Sequence, residues 1–194
     1  MARQAILDDD ALIHRLSKGF RDLGFEGASI AKLTKLAGLR KASLYHRFPG
    51  GKVQMADRVL KAAYDWLEEN VLDVLRSDAP PQERLCAMTA ALDTLYEGGE
   101  RACIINMLSG PLAQDTPFVE PIRATLLAWA DALAGCIADA GLPKVVARRR
   151  AMRAIAMIQG SLVLARGLKS TQLFSDELAR LPADLLRPAS SASA

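Results

Sequence analysis

The stretch SIAKLTKLAGLRKASLYHRF, residues 29–48, decides how the rest of the chain is read. Ser29 precedes the apolar series Ile30, Leu33 and Leu36/Ala37, and its hydroxyl suits the N-cap of a short helix. Gly38 closes that helix and can take the positive φ of a tight turn. A second short helix, Arg40 to Phe48, sets Leu44 and Phe48 one turn apart, and Pro49-Gly50-Gly51 ends it. Ile30, Leu33, Ala37, Leu39 and Leu44 lock the pair against a preceding helix. That is the helix-turn-helix pattern, whose second helix enters the major groove. Its first turn carries Arg40, Lys41, Ala42 and Ser43. Arginine or lysine there donates to guanine O6 and N7, and a hydroxyl reaches a base edge or a phosphate. Tyr45, His46 and Lys52 carry donors suited to phosphate, and Lys52 sits where a helix N-terminus already attracts anions. With Ser29, these residues form the expected DNA-contacting set.

Charge supports the same partner. The net charge of +3 over 194 residues is unevenly spread. Residues 1–60 hold eleven Lys/Arg against six Asp/Glu, a net of +5, and the remainder holds fourteen against sixteen, a net of −2. Between Glu26 and Asp57 there is no acid but there are six bases: Lys32, Lys35, Arg40, Lys41, Arg47 and Lys52. So concentrated a field points to a polyanion, although a solvated basic face has the same composition.

Helical periodicity extends outward from this stretch. Leu12, Ile13, Leu16, Phe20 and Leu23 mark an amphipathic helix over 9–24, stopped by Gly24. Lys52 opens a long helix to residue 76, and Ser77-Asp78-Ala79-Pro80-Pro81 is the first clear linker. Further helices follow through Leu85–Leu95, over 101–109, from Pro117 or Phe118 to Gly141, over 145–168, and from Thr171 to Leu181. Pro182, Pro188 and the Ala/Ser tail read as frayed. The fold class is therefore all-α with about nine helices. The expected organisation is a DNA-binding domain at 1–51, a connecting helix at 52–76, a C-terminal helical domain at 77–185, and a disordered tail at 186–194.

Composition excludes other classes. At 51% apolar and 24% charged the chain is globular. The cysteines Cys86, Cys103 and Cys136 are odd in number and unpaired in spacing, which argues against a disulfide scaffold or a metal clip. The N-terminus does not read as a signal peptide, and no run of about 18 uncharged apolar residues appears. A soluble, cytoplasmic protein without membrane contact is expected. HExxH, GxSxG and the P-loop are absent; Gly50-Gly51-Lys52 lacks the upstream glycine and strand, and Val53 replaces Ser/Thr. No enzyme, cofactor or metal is expected.

The sequence resembles the TetR-type bacterial transcriptional regulators. The resemblance is carried by Phe20, Gly24-Phe25, Ser29-Ile30, Ala37-Gly38, Lys41, Leu44-Tyr45, Phe48 and Lys52, and above all by SLYHRFPGGK at 43–52. The FPGGK ending is typical of one subgroup with a shared C-terminal domain type. Residues 9–60 carry most of the match; 101–109, Trp129 and IQGSLVLAR at 158–166 match loosely. Arg40, Thr34 and Ala42 depart from the usual residues. The first lacks a capping oxygen, and the second has a hydroxyl that can bond back to its helix. The resemblance implies a homodimeric repressor on a palindromic double-stranded DNA operator. It also implies a C-terminal domain that binds a small-molecule effector and dimerises, often through the last two helices.

The C-terminal half supplies candidates for both tasks. Trp66, Tyr96, Cys103, Met107, Phe118 and Trp129 are candidate effector-pocket residues, each of which also suits plain core. Small residues crowd the helix at 145–168: Ala151, Ala154, Ala156, Gly160, Ser161, Ala165 and Gly167. They suit close packing against a second copy, with Ala151, Ala154, Ile158, Leu162 and Ala165 as candidate interface residues. Tight packing within the chain would use the same residues. Arg148-Arg149-Arg150 reads as the solvated start of this helix. Cys103 admits an alternative, a regulator answering oxidants or electrophiles, against a structural role that it would share with Cys86 and Cys136. A helical scaffold using its basic face is the second alternative.

Overall fold

The computed structural model of the protein describes residues 8–109 and 117–188. The elements are α1 (Asp9–Gly27), α2 (Ile30–Ala37), α3 (Lys41–Arg47), α4 (Gly51–Leu67), α5 (Asp73–Arg76), α6 (Pro81–Leu95), α7 (Ile104–Leu108), α8 (Val119–Asp139), α9 (Lys144–Leu168) and α10 (Gln172–Leu186). A π-helical turn, Glu68–Leu72, joins α4 to α5 without a break, so the described residues hold nine helical rods and no strand. This is the all-α architecture expected from the sequence.

The chain forms two compact units. The first comprises Met1–Tyr64 and Ile104–Pro121, the second Asp65–Cys103 and Ile122–Ala194. The first therefore takes in α7 and the residues that open α8, well beyond residue 51.

In the first unit, α1 buries Leu12, Leu16 and Phe20, spaced four apart on one face. Gly24 leaves helical geometry at φ 67°, ψ 173°, so the helix proper stops there and one further turn ends at Gly27. Gly19 lets α2 approach α1 closely: a Cβ at that position would stand 2.9 Å from Leu36 Cδ1 and 3.0 Å from Leu33 Cδ2. Leu33, Ala37 and Leu44 complete the buried seam under the paired short helices. Burying each such leucine contributes about 1.5–3 kcal/mol. α7, Ile-Ile-Asn-Met-Leu, packs on α1 with Ile104 and Leu108 buried. Phe118 meets the edge of Phe25 at 5.4 Å between centroids, and Phe25 stacks at 6.2 Å on Phe20.

In the second unit, Pro81 occupies the first turn of α6, where its missing N–H costs nothing. α10 packs on both α6 and α9. It runs on to Leu186, beyond the expected end at Leu181, with Pro182 inside it. Proline removes one helical hydrogen bond, but Leu181, Pro182 and Leu185 are all buried here. Arg150 secures the far end: its Nη1 donates to the carbonyls of Leu185 at 2.7 Å and Arg187 at 2.5 Å. Arg148 pairs with Asp131. The arginine run is thus more than a solvated helix start. Of the expected tail, residues 189–194 lie outside the described residues.

One described helix, Val119–Asp139, is long and apolar enough to cross a membrane by length and composition, although Glu120, Arg123, Asp131 and Asp139 keep it from being the uncharged run that the sequence also lacks. Its Trp129, Leu133 and Ile137 are buried, the pattern of a core helix in a folded domain.

Candidate nucleic-acid interface

The turn between α2 and α3 is built by backbone bonds that the sequence makes available. Ser29 Oγ accepts from Lys32 N at 3.4 Å and caps α2. At the other end Gly38 takes φ 68°, ψ 25°. Its N–H donates to Lys35 O at 3.2 Å, and Leu39 N donates to Thr34 O at 3.3 Å. These are the paired bonds of a Schellman ending, which satisfy carbonyls otherwise left open. Arg15 of α1 adds a third support, Nη1 donating to Ala37 O at 2.9 Å. Thr34 bonds back to Ile30 O at 2.7 Å, the role its hydroxyl suggested.

α3 then stands with Leu44 buried and Lys41, Ala42, Ser43, Tyr45 and His46 exposed. Arg40 occupies the N-cap in extended geometry, φ −79°, ψ 150°, without a side-chain cap bond. Its long side chain is exposed, and it makes no ion pair among the described residues. Lys41 Nζ lies 5.9 Å from the Tyr45 ring centroid, so the two extend together from the helix. At about 1.5 Å per residue the seven residues of α3 span roughly 10 Å. That presents five exposed side chains along a rod narrow enough for the major groove. Gln54 fixes the loop that follows, Oε1 accepting from Gly50 N at 2.8 Å.

Lys52 is placed differently from its expected partners. Its Nζ donates to Phe25 O at 3.0 Å and sits 4.2 Å from the Phe25 ring centroid. It pins the segment after α1 to the start of α4, an internal duty that a phosphate contact alone would not require. Arg47 likewise turns inward, pairing with Asp9 at 3.0 Å. Sequence reasoning missed Arg15, Gln54 and the Asp9–Arg47 pair. All act across long sequence separations or through backbone groups that no residue pattern marks.

The expected effector residues fall in both units. Met107 and Phe118 belong to the first, where Met107 Cε lies 3.4 Å from the place a Cβ on Gly24 would occupy. Trp66, Tyr96, Cys103 and Trp129 belong to the second. There Tyr96 packs edge-on against Phe174 at 6.0 Å, and its hydroxyl lies 3.5 Å from Cys103 Sγ. Trp129 is buried, and its indole N–H has no acceptor among the described residues. Cys103 and Cys136 are buried, whereas Cys86 is exposed, against the expectation that it is a core thiol. Burial pushes the Cys136 thiol above its ordinary pKa, and nearby Arg84 opposes that shift in part.

The expected interface residues Ala151, Ala154, Ile158, Leu162 and Ala165 are all buried within the chain's own packing. A side chain with no exposed surface has none to offer a second copy. The small residues of α9 lie on two faces. The outer one carries Met152, Ala156, Gly160, Val163 and Gly167, all exposed at three- and four-residue steps, with Leu164 and Leu168 beside them.

Residues 113–177 match the family model described as the C-terminal domain of LmrA/YxaF-like transcriptional regulators. The chain is 23% identical over 167 residues to the HTH-type transcriptional regulator LmrA of Bacillus subtilis, covering 84% of this chain and 88% of that relative. It is 28% identical over 134 residues to the HTH-type transcriptional repressor KstR2 of Mycolicibacterium smegmatis, covering 67% of this chain and 65% of that relative. The fold is shared with a TetR transcriptional regulator from Legionella pneumophila, at a TM-score of 0.79 and 17% identity, covering 93% of this chain and 99% of that one.

Proposed function

We propose that this chain is a TetR-type helix-turn-helix transcriptional regulator that acts in the cytoplasm as a homodimeric repressor released from a palindromic operator by a small molecule. The observation that carries the reading is α3 itself: a short helix held by the Gly38 turn, with Arg40, Lys41, Ala42, Ser43, Tyr45 and His46 on its open side. Arg40, Lys41 and Ser43 read base edges, while Tyr45 and His46, with Ser29 at the start of α2, hold phosphates. Ala42 lets the helix lie close to the groove floor and gives a methyl contact for thymine.

Two such helices must stand about 34–36 Å apart to enter successive major grooves on one side of DNA. The outer stripe of α9 supports the dimer. Gly160 at its centre has no neighbouring side chain within 4 Å of where a Cβ would lie, which leaves room for a second helix to cross closely. An effector in the C-terminal domain that binds better to a dimer of another spacing lowers operator affinity by linkage. The buried, unpaired indole N–H of Trp129 favours an effector with an apolar body and an acceptor oxygen. The redox alternative is not favoured, because Cys103 is only 4% exposed.

Selection of bound fragments from a random DNA library at about 150 mM salt tests the reading. A two-fold-related motif is expected for a dimeric sequence reader. Binding without a motif would reduce α3 to a phosphate-binding surface and overturn the repressor reading.

A further inference from the structure

A cavity of about 330 Å³ opens within the first unit at the C-terminal end of α3. It is lined by Asp9, Leu12 and Ile13 of α1, by His46, Arg47 and Phe48 at the end of α3, and by Gln54 and Arg58 of α4. None of the DNA-reading argument requires it, and only His46 belongs to the expected contact set.

The chemistry of the walls is one-sided. The floor is apolar: Leu12 and Phe48 are buried core residues. Asp9 is the single acid, and it is already paired with Arg47 at 3.0 Å. Gln54 spends its carbonyl oxygen on Gly50 N, which leaves its amide N–H groups as the end available to a ligand. His46 is exposed and offers a ring N–H. Arg58 is exposed and enters no ion pair or hydrogen bond among the described residues. The cavity therefore presents donors around a dry floor, with one guanidinium unspent after the Asp9–Arg47 pair is counted. Low-dielectric walls beside a fixed charge strengthen its attraction for an anion.

Position selects the anion. His46 lies both on the exposed side of α3 and in this cavity, so whatever α3 docks against also meets the cavity mouth. We propose that the cavity seats a backbone phosphate of the operator, held by Arg58 with His46 and Gln54, beyond the bases that α3 reads. The inference rests on the DNA-binding reading above and extends it to α4. Arg58 fixes register without reading sequence, as phosphate contacts do. The carboxylate of Asp9 keeps Arg47 out of the contact, so one phosphate is assigned to this site.

The test is the salt dependence of DNA binding by the full chain, with Arg58→Ala and Arg58→Lys beside the parent. Each phosphate neutralised contributes about 0.9 to the slope of log K against log salt. Arg58→Ala is expected to lower the slope magnitude by about that amount, equally on operator and unrelated duplex, with helix content unchanged. Arg58→Lys restores most of the slope, because a point charge suffices for phosphate. An unchanged slope in Arg58→Ala, or a loss confined to one base pair, overturns the inference. Inorganic phosphate at millimolar concentration that binds the DNA-free protein through Arg58, with no change in slope on DNA, also overturns it, by making the cavity a free-ion site. Failure of the parent chain to bind any duplex would instead overturn the proposed function.

Discussion

Gly38→Ala tests how the recognition helix is held. The glycine adopts φ 68°, which an alanine occupies at a cost of about 1–2 kcal/mol. An added Cβ would also stand 2.9 Å from Arg15 Nη1. The guanidinium is the far end of a flexible side chain and moves aside readily. Moving forfeits its 2.9 Å bond to Ala37 O, however, and at this part-buried position that bond is worth about 1 kcal/mol. The expected loss is about 2–3 kcal/mol, or roughly 5–10 °C in Tm for a chain of this size. Urea unfolding at fixed protein concentration measures it, and Arg15→Ala separates the two parts. Arg15→Ala alone costs about 1 kcal/mol. In that background Gly38→Ala costs only the backbone strain, so the double variant loses less than the sum of the singles. A loss under about 0.5 kcal/mol for Gly38→Ala, or strict additivity, would refute the account of the turn.

Lys52→Met removes the cation over Phe25 and the bond to Phe25 O, and should destabilise the DNA-free protein by about 1 kcal/mol, about 2–4 °C in Tm; an unchanged melt would return Lys52 to a purely phosphate-binding role. Arg40→Ala or Lys41→Ala should relax preference at one base pair by about 1–3 kcal/mol in a binding assay across operator variants, whereas a uniform loss would reassign the residue to phosphate. Val163→Asp, half exposed on the outer stripe of α9, should shift sedimentation toward monomer with helix content kept, while Ala154→Asp, buried, should unfold the domain. Among the thiols, Cys86 should react with a thiol reagent in the folded protein, and Cys103 and Cys136 only on unfolding. Because the folded Cys136 pKa is raised, its thiol stays neutral where the unfolded chain ionises. Stability should therefore fall as pH rises past about 8.5; Cys136→Ala, which removes the titrating group, should flatten that fall in urea unfolding.

The helix-turn-helix was legible because each of its signals is local. A cap at Ser29, a glycine at 38 and apolar residues three and four apart are all properties of neighbours in sequence. The exposure of α3 followed from the same spacing, since burying Leu44 turns Ala42, Ser43, Tyr45 and His46 away from the core. What escaped was set by partners far along the chain. Lys52 looked like a free cation until Phe25, 27 residues earlier, supplied a carbonyl and a ring. The candidate interface residues on α9 are buried while Ala156, Gly160 and Gly167 are exposed, because alanine and glycine populate both of its faces. Composition says that two helices approach closely there without saying which side α10 already occupies. Pro182 carries the local signal of a helix end, yet burial of Leu181 and Leu185 holds the helix together through it.

The return of Ile104–Pro121 to the first unit bears on any attempt to transplant the DNA reader onto another protein. A gene fragment ending at residue 51 or 64 would omit α7 and Phe118. It would strip the edge from the Phe25 ring and uncover the side of α1 on which α7 lies. Such a fragment should be sticky and poorly soluble whatever linker follows it. A working graft has to move two pieces of coding sequence, residues up to 64 and residues 104–121. The portable module is discontinuous in the gene even though the motif that announces it is twenty consecutive residues.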